Sequence, residues 1–244
     1  MITPADLRTY VINLRRRPDR RTWITRTLPP DLPVTFTSDW TGPFDGHDLA
    51  TNKLEADGYR LFPWQIESDN PWWSRPLKYG EVACTLTHLA CWRHAAQTGD
   101  EPFILILEDD AVLPVTFLDQ LLTGLDRLIQ HRPFDLLYLG RVPLEPEHDR
   151  PVLHGLVAPA YSHCTFGYLL TRAAVDLLLA THLERAIVPV DEFLPAQYID
   201  HPRADLRARF PRQLKALAFD PPLVRQRPKD EAGSDTEDSH FAEP

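Results

Sequence analysis

The chain has 244 residues, a hydrophobic fraction of 43%, a charged fraction of 25% and a formal net charge of −9. This is the balance of a globular domain long enough to bury a sizeable core, and its acidity disfavours nucleic acid as a partner. Three cysteines argue against a disulfide framework, and no G-x-G-x-x-G or G-x-x-x-x-G-K-[ST] segment points to a dinucleotide or P-loop enzyme. No apolar run approaches the ~20 residues that span a bilayer, and the first residues lack the apolar core of a secretory signal, so a cytoplasmic location is expected. Part of the acid excess is local: residues 229–244 hold Asp230, Glu231, Asp235, Glu237, Asp238 and Glu243 against one lysine. The composition predicts a single domain over residues 1–228 followed by an acidic, flexible tail over 229–244.

Residues 8–14 (RTYVINL) read as a strand, residues 15–28 as a charged helix stopped by Pro29-Pro30, and residues 34–37 as a short strand. The stretch 41–46 is rich in turn residues. From 48 to 78 the chain is irregular and carries Tyr59, Phe62, Trp64, Trp72 and Trp73; irregular stretches this long in a compact domain are usually functional. Between Gly80 and Gly99, Val82, Ala83, Leu86, Leu89, Ala90 and Ala96 recur at helical spacing. A strand over 103–108, an amphipathic helix around 117–129 and a strand over 134–139 follow. Residues 143–159 read as a proline-rich connection, 162–170 as a strand, 172–185 as a helix capped by Thr171, and 216–224 as a last strand. This alternation predicts an α/β fold, a mostly parallel sheet with helices on both faces.

The most informative segment is Phe103-Ile-Leu-Ile-Leu-Glu-Asp-Asp-Ala-Val112. Five apolar residues read as a strand buried on both faces, which sets Glu108, Asp109 and Asp110 at the C-terminal sheet edge where open α/β sheets bind ligands. On extended chain Glu108 and Asp110 share a side, and clustered carboxylates raise one another's pKa unless a cation sits among them; oxygen ligands suit Mg²⁺ or Mn²⁺. The alternative is a turn cap with two solvated acids. A second acidic pair, Asp191-Glu192, also follows apolar sequence and is a candidate for base chemistry, or equally for a helix N-terminus where acids favour the dipole.

Cys84, His88 and Cys91 fall at i, i+4 and i+7, but thiolates two helical turns apart cannot easily share one zinc ion. Small core residues with His88 facing a neighbouring site is the preferred interpretation. Asn13, Arg15, Arg16, Arg17 and Arg20 follow the first strand and offer donors to a diphosphate, or form an exposed basic helix start. Trp64, Trp72 and Trp73 are candidates for sugar stacking or for anchoring the long loop.

The order of the motifs is more specific than any one of them. Tyr10-Val-Ile-Asn-Leu-Arg-Arg-Arg-Pro-Asp-Arg20, Phe44-Asp-Gly46, Leu77-Lys-Tyr-Gly-Glu-Val-Ala-Cys-Thr-Leu-Thr-His88, Ile106-Leu-Glu-Asp-Asp-Ala111, Gly167-Tyr-Leu-Leu-Thr171 and Pro189-Val-Asp-Glu-Phe-Leu-Pro195 together resemble glycosyltransferase family 25. That family includes bacterial lipopolysaccharide sugar transferases and collagen galactosyltransferases, and the resemblance runs over about residues 8–238. It implies a GT-A-type, Rossmann-like fold, a UDP-sugar donor, Mn²⁺ or Mg²⁺, and an oligosaccharide or peptide acceptor. It further implies Glu108, Asp110 and Asp235 as metal-site residues, Asn13, Arg16, Asp45, Gly46, Lys78, Glu81, His88 and Asp109 around the donor, and Asp191, with Glu192 beside it, as catalytic. Inversion is likewise an implication of the resemblance. Collagen-type members carry a histidine after the last strand, where this chain reads Val224-Arg-Gln-Arg-Pro228, so Gln226, Asp235 or water is expected in its place. The alternative function is a non-catalytic nucleotide-sugar or carbohydrate-binding module on the same fold.

Overall fold

The computed structural model describes residues 1–40 and 44–242; Thr41, Gly42 and Pro43 of the turn-rich stretch, and Glu243 and Pro244 of the acidic tail, lie outside the described residues. In chain order the elements are β1 (Leu7–Ile12), α1 (Pro18–Thr25), β2 (Val34–Phe36), α2 (Thr51–Ala56), α3 (Tyr79–Gln97), β3 (Phe103–Glu108) and β4 (Ala111–Val112). They continue with α4 (Phe117–His131), β5 (Leu136–Pro143), β6 (Arg150–Leu153), β7 (Leu156–Ala158), β8 (Ser162–Thr171) and α5 (Arg172–Ala180). The last are α6 (Val190–Ala196), α7 (Ala204–Arg209), β9 (Ala216–Phe219), β10 (Arg225–Gln226) and α8 (Lys229–Ala232).

Eight strands form one sheet in the order β2-β1-β3-β8-β5-β9-β7-β6. β1 is parallel to β2 and β3, and β5 is parallel to β9, while β8 runs antiparallel to both β3 and β5 and β7 antiparallel to β9 and β6. All strands but β7 and β8 therefore point the same way, giving an α/β fold with a largely parallel, mixed sheet. Alternate residues of β3 feed two cores: Ile104 and Ile106 pack with Leu86, Trp92, Val175 and Phe193 under α3, α5 and α6, and Leu105 and Leu107 pack with Ile24, Phe117, Leu121 and Leu125 under α1 and α4. A strand covered on both faces has no polar side to present, which is why its sequence does not alternate.

Several elements depart from the sequence expectation, each for a local reason. The proline-rich connection holds the hairpin β6–β7, turned at Gly155 with φ +77°, a conformation glycine adopts without strain. The helix expected to reach residue 185 stops at Ala180, where His182 takes φ 53° before a short 3₁₀ turn over Leu183–Arg185. The last strand ends at Phe219, because Pro221 and Pro222 offer no N–H to a ladder. The irregular 48–78 stretch includes α2.

Residues 229–242 fold back over the N-terminus of α3. The Tyr79 N–H donates to the His240 carbonyl at 2.9 Å, the Ala242 N–H to the Leu77 carbonyl at 2.7 Å and the Gly80 N–H to Ser239 Oγ at 2.8 Å. The approach needs glycine: a Cβ on Gly80 would lie 2.7 Å from the Thr236 Cα, and one on Gly46 would lie 2.7 Å from the Gly80 Cα. No helix among the described residues is long and apolar enough to cross a membrane.

The burial of β3 sets a stability expectation. Leu107→Ala, at a wholly buried position, should lower the unfolding free energy by about 2–5 kcal/mol in urea titrations, while Val115→Ala, on a fully exposed turn, should change it by less than about 0.5 kcal/mol.

Candidate active site

Strand direction assembles the site. β1 and β3 are parallel with Ile12 opposite Glu108, so Asn13 and the acids 108–110 emerge at the same edge. β8 runs the other way, with Gly167 opposite Leu107, and so brings its first residues, His163, Cys164 and Thr165, to that edge too. The buried face of α3 adds Cys84 and His88, and the first turn of α6 adds Asp191 and Glu192. A cleft of about 440 Å³ lies between them, lined among others by Trp72, Lys78, Glu108, Asp110, His163 and Asp191. A smaller cavity of about 80 Å³ adjoins it beside Asn13, Arg16, Gly46 and Asp109.

The three consecutive acids meet three different environments. Glu108 accepts a hydrogen bond from Thr165 Oγ1 at 2.7 Å and lies 3.7 Å from His88 Nε2. Burial opposes its ionisation, but His88 and Thr165 outweigh burial and hold its carboxyl below the usual value. Asp109 accepts from Asn13 Nδ2 at 2.7 Å and from Arg20 Nη1 at 2.9 Å, yet burial still raises its pKa. Asp110 accepts from Gln226 Nε2 at 3.1 Å through one oxygen, while its other oxygen is buried with no partner. Burial first, then the charges of Glu108 and Asp109, push its pKa to about 7. Its positive partner is no nearer than Arg20 Nη1, 3.9 Å away, and an under-compensated carboxylate beside two others fits a hard cation, with Glu108 and Asp110 as the donors.

The second acidic pair divides. Glu192 is saturated: it accepts from Trp73 Nε1 at 2.8 Å, Tyr161 OH at 2.7 Å and His201 Nε2 at 2.7 Å, with His163 Nε2 at 3.3 Å. Burial opposes its charge, but His163 and His201 overcome burial and hold its pKa far below the usual range. Asp191, one residue away, has no hydrogen-bond or ion-pair partner for its carboxylate among the described residues, and it lines the cleft. Burial, with Glu192, Glu81 and Glu108 adding to it and His163 opposing, raises its pKa to about 6. The structure thus separates the two acids that the sequence groups together: Asp191 presents an unengaged carboxylate to the cleft, whereas Glu192 is a fixed anion that ties β8, α6 and the Trp73 loop together. The helix start that the sequence offered as an alternative is also present, since both acids lie in the first turn of α6.

Three arginines of the basic set converge on Asp235, while Arg15 donates to the Ser38 and Trp40 carbonyls. Arg17 Nη1 reaches Asp235 at 2.7 Å, Arg20 Nη1 lies 3.6 Å away, and Arg16 holds it while donating through Nε to Asp45 at 2.6 Å. Asp235, expected among the metal-site residues, is held by three guanidiniums. Gly46 abuts Gly80, and Lys78 donates through Nζ to the Glu237 carbonyl. Glu81 lines the cleft but is engaged by its neighbours: it pairs with Arg75 at 2.6 and 2.9 Å and accepts the Lys78 N–H at 2.7 Å. Of the tryptophans, Trp64 is buried beneath Arg203, 4.4 Å from its ring, and Trp73 serves Glu192, which leaves Trp72, 44% exposed, as the one of the three open to a ligand.

Sequence reasoning did not select His163, Thr165, Tyr161, Tyr168 or His201. Tyr161, His163 and Thr165 alternate in one short segment, but the acids they serve, Glu192 and Glu108, come from other elements.

The family model described as "Glycosyltransferase family 25 (LPS biosynthesis protein)" matches residues 6–142. The chain is 33% identical over 220 residues to "Procollagen galactosyltransferase 1" of Danio rerio, covering 88% of this chain and 35% of that protein. It is 33% identical over 221 residues to "Procollagen galactosyltransferase 2" of Homo sapiens and 34% identical over 221 residues to "Inactive glycosyltransferase 25 family member 3" of Homo sapiens. Those matches cover 88% of this chain and 34% and 36% of the two relatives, so the chain spans about a third of the length of these relatives. Among solved structures, apo mouse xyloside xylosyltransferase 1 aligns over 90% of this chain and 86% of its own at 12% identity and a TM-score of 0.31, too distant to bear on the site. The family match covers more than half of the sequence, including the β1 and β3 edge with its acids; the chain belongs to glycosyltransferase family 25.

Proposed function

We propose that the chain transfers a hexose, galactose or glucose, from a UDP-sugar to a hydroxyl of an oligosaccharide or modified peptide, with inversion, on a GT-A-type scaffold and with Mn²⁺ or Mg²⁺. The observation that carries this reading is the pairing, across one cleft, of a partnerless Asp191 with the under-compensated Asp110. Glu108 and Asp110 would hold the cation, which neutralises charge on a departing diphosphate. Arg16, Arg17 and Arg20 offer guanidinium donors to phosphate oxygens, sites that Asp235 fills in their absence. Asn13, Gly46 and Lys78 border the same cavities, with Asp45 behind Arg16, and suit the nucleoside end of the donor. Asp191 takes the proton of the attacking hydroxyl, and a pKa near 6 leaves it ionised at neutral pH yet basic enough to accept. The galactosyltransferase names of two relatives favour a hexose; the name of the third favours a second reading, a binding module that recognises a nucleotide sugar without transferring it.

A screen of UDP-sugars for UDP release, with Mn²⁺, Mg²⁺ or EDTA, separates the two: release with one donor supports transfer, and a melting temperature raised by UDP and Mn²⁺ without release from any donor supports binding alone. Asp191→Asn should lower turnover by about 10²–10⁴-fold with the fold and UDP affinity kept. Glu192→Gln should instead cost about 3–5 kcal/mol of stability in denaturant titrations, because it leaves buried His201 and His163 without their anion.

Protonation offers a check independent of turnover. Asp110, with a pKa raised to about 7, carries a fraction of a proton at neutral pH in the metal-free protein, and a cation must displace it. Calorimetric titration of Mn²⁺ at pH 7 in buffers of different ionisation enthalpy should report proton release that shrinks as pH rises and disappears in Asp110→Asn.

A further inference from the structure

The sequence offers Cys84, His88 and Cys91 as a zinc-like pattern whose two thiols stand too far apart, and the structure agrees that Cys91 faces the core. It also supplies a ligand the helix lacks. Cys84 and His88, one turn apart on α3, meet Glu108 at the end of β3, and a sulfur, a ring nitrogen and a carboxylate oxygen from the three all lie within 4.8 Å of one another. We propose that Cys84, His88 and Glu108 form a binding site for a borderline or soft divalent cation, with zinc as the type case, separate from the all-oxygen set at Asp110 but sharing Glu108 with it.

The donor chemistry is that of zinc: thiolate, imidazole and carboxylate, three protein ligands with a fourth position open. That position faces the clefts, since Cys84 and Glu108 line both of them. The outer contacts are those that orient metal ligands. His88 Nδ1 lies 2.7 Å from the Tyr168 hydroxyl, which also accepts from Trp92 Nε1 at 3.1 Å, so the ring is fixed with Nε2 turned toward Glu108. Thr165 Oγ1 fixes Glu108 at 2.7 Å. The Cys84 thiol has no hydrogen-bond partner among the described residues, and Nε2 has a 3.5 Å contact with Thr165 and lies 3.7 Å from the Glu108 carboxylate. All of these groups stand on buried helix or strand, so the site costs little reorganisation. Binding breaks the S–H bond of Cys84, forms a sulfur–metal bond and releases the proton to solvent. A consequence, which rests on the transfer reading above, is that zinc here withdraws Glu108 from the oxygen set and inhibits.

Cobalt(II) added to the metal-free chain tests the site without using activity. The expected result is a thiolate-to-cobalt charge-transfer band titrating to one equivalent, abolished by zinc and by Cys84→Ser and unchanged in Cys91→Ser and Cys164→Ser. Tyr168→Phe, which keeps the ring but removes the outer contact, should weaken cobalt affinity by about 10–100-fold. An oxygen-only cobalt spectrum in the wild-type chain, or a thiolate band that survives Cys84→Ser, overturns the proposal. Neither result depends on transfer, so a chain that binds cobalt through Cys84 but releases no UDP rejects the catalytic reading alone.

Discussion

Three consecutive carboxylates at the end of a strand buried on both faces are the constraint around which this protein is arranged. Carboxylates removed from water must be compensated or stay protonated, and each of the three meets a different answer. Asp109 is taken by Arg20 and Asn13, which locks α1 and the end of β1 to the end of β3. Glu108 is taken by His88 and Thr165, which links α3 and β8. Asp110 receives a glutamine from β10 and a distant guanidinium, Arg20 Nη1 at 3.9 Å, and one of its oxygens has no partner. The interactions that fix Asn13, Arg20 and His88 in place thus also leave one acid under-compensated, and that remainder is what a cation would satisfy.

The antiparallel strand β8 is the device that makes this possible. In a wholly parallel sheet every strand delivers its C-terminal end to the ligand edge, and the residues available there come from the loops that follow. β8 delivers its N-terminal end instead, so Thr165 and His163 come from ordered strand. Its next outward residues also serve: Tyr168 backs His88, while Tyr161, just before the strand, meets Glu192. One strand therefore orients the acid of β3 and the fixed anion of α6 together.

The back-folded segment 229–242 completes the arginine side. Asp235 sits where three guanidiniums converge, and the backbone can come that close only because Gly80 and Gly46 carry no side chain. The cleft consequently has two electrostatic halves: arginines balanced by Asp235 on one side, and the under-compensated Asp110 on the other. A diphosphate bridged to a divalent ion has the charge distribution that fits such a pair of halves.

The sequence by itself determined the α/β alternation, the doubly buried strand with its acids at the edge, the helix carrying Cys84 and His88, and the family, because each is a local run or a local order of motifs whose periodicity is written in adjacent residues. It placed Asn13, Glu108, Asp109 and Asp110 at the sheet edge for the same reason, and brought in Asp191 through the family resemblance. It could not separate Asp191 from Glu192, since neighbours in sequence differ only in which remote groups reach them: Trp73, Tyr161, His163 and His201 for one, and none for the other. Nor could it move Asp235 to the arginines, find the β6–β7 hairpin among prolines, or add Glu108 to Cys84 and His88. Apart from the hairpin, those outcomes depend on contacts between residues 20 to more than 200 positions apart, and only the packing of the sheet, its one reversed central strand and the returning tail decides which of them form.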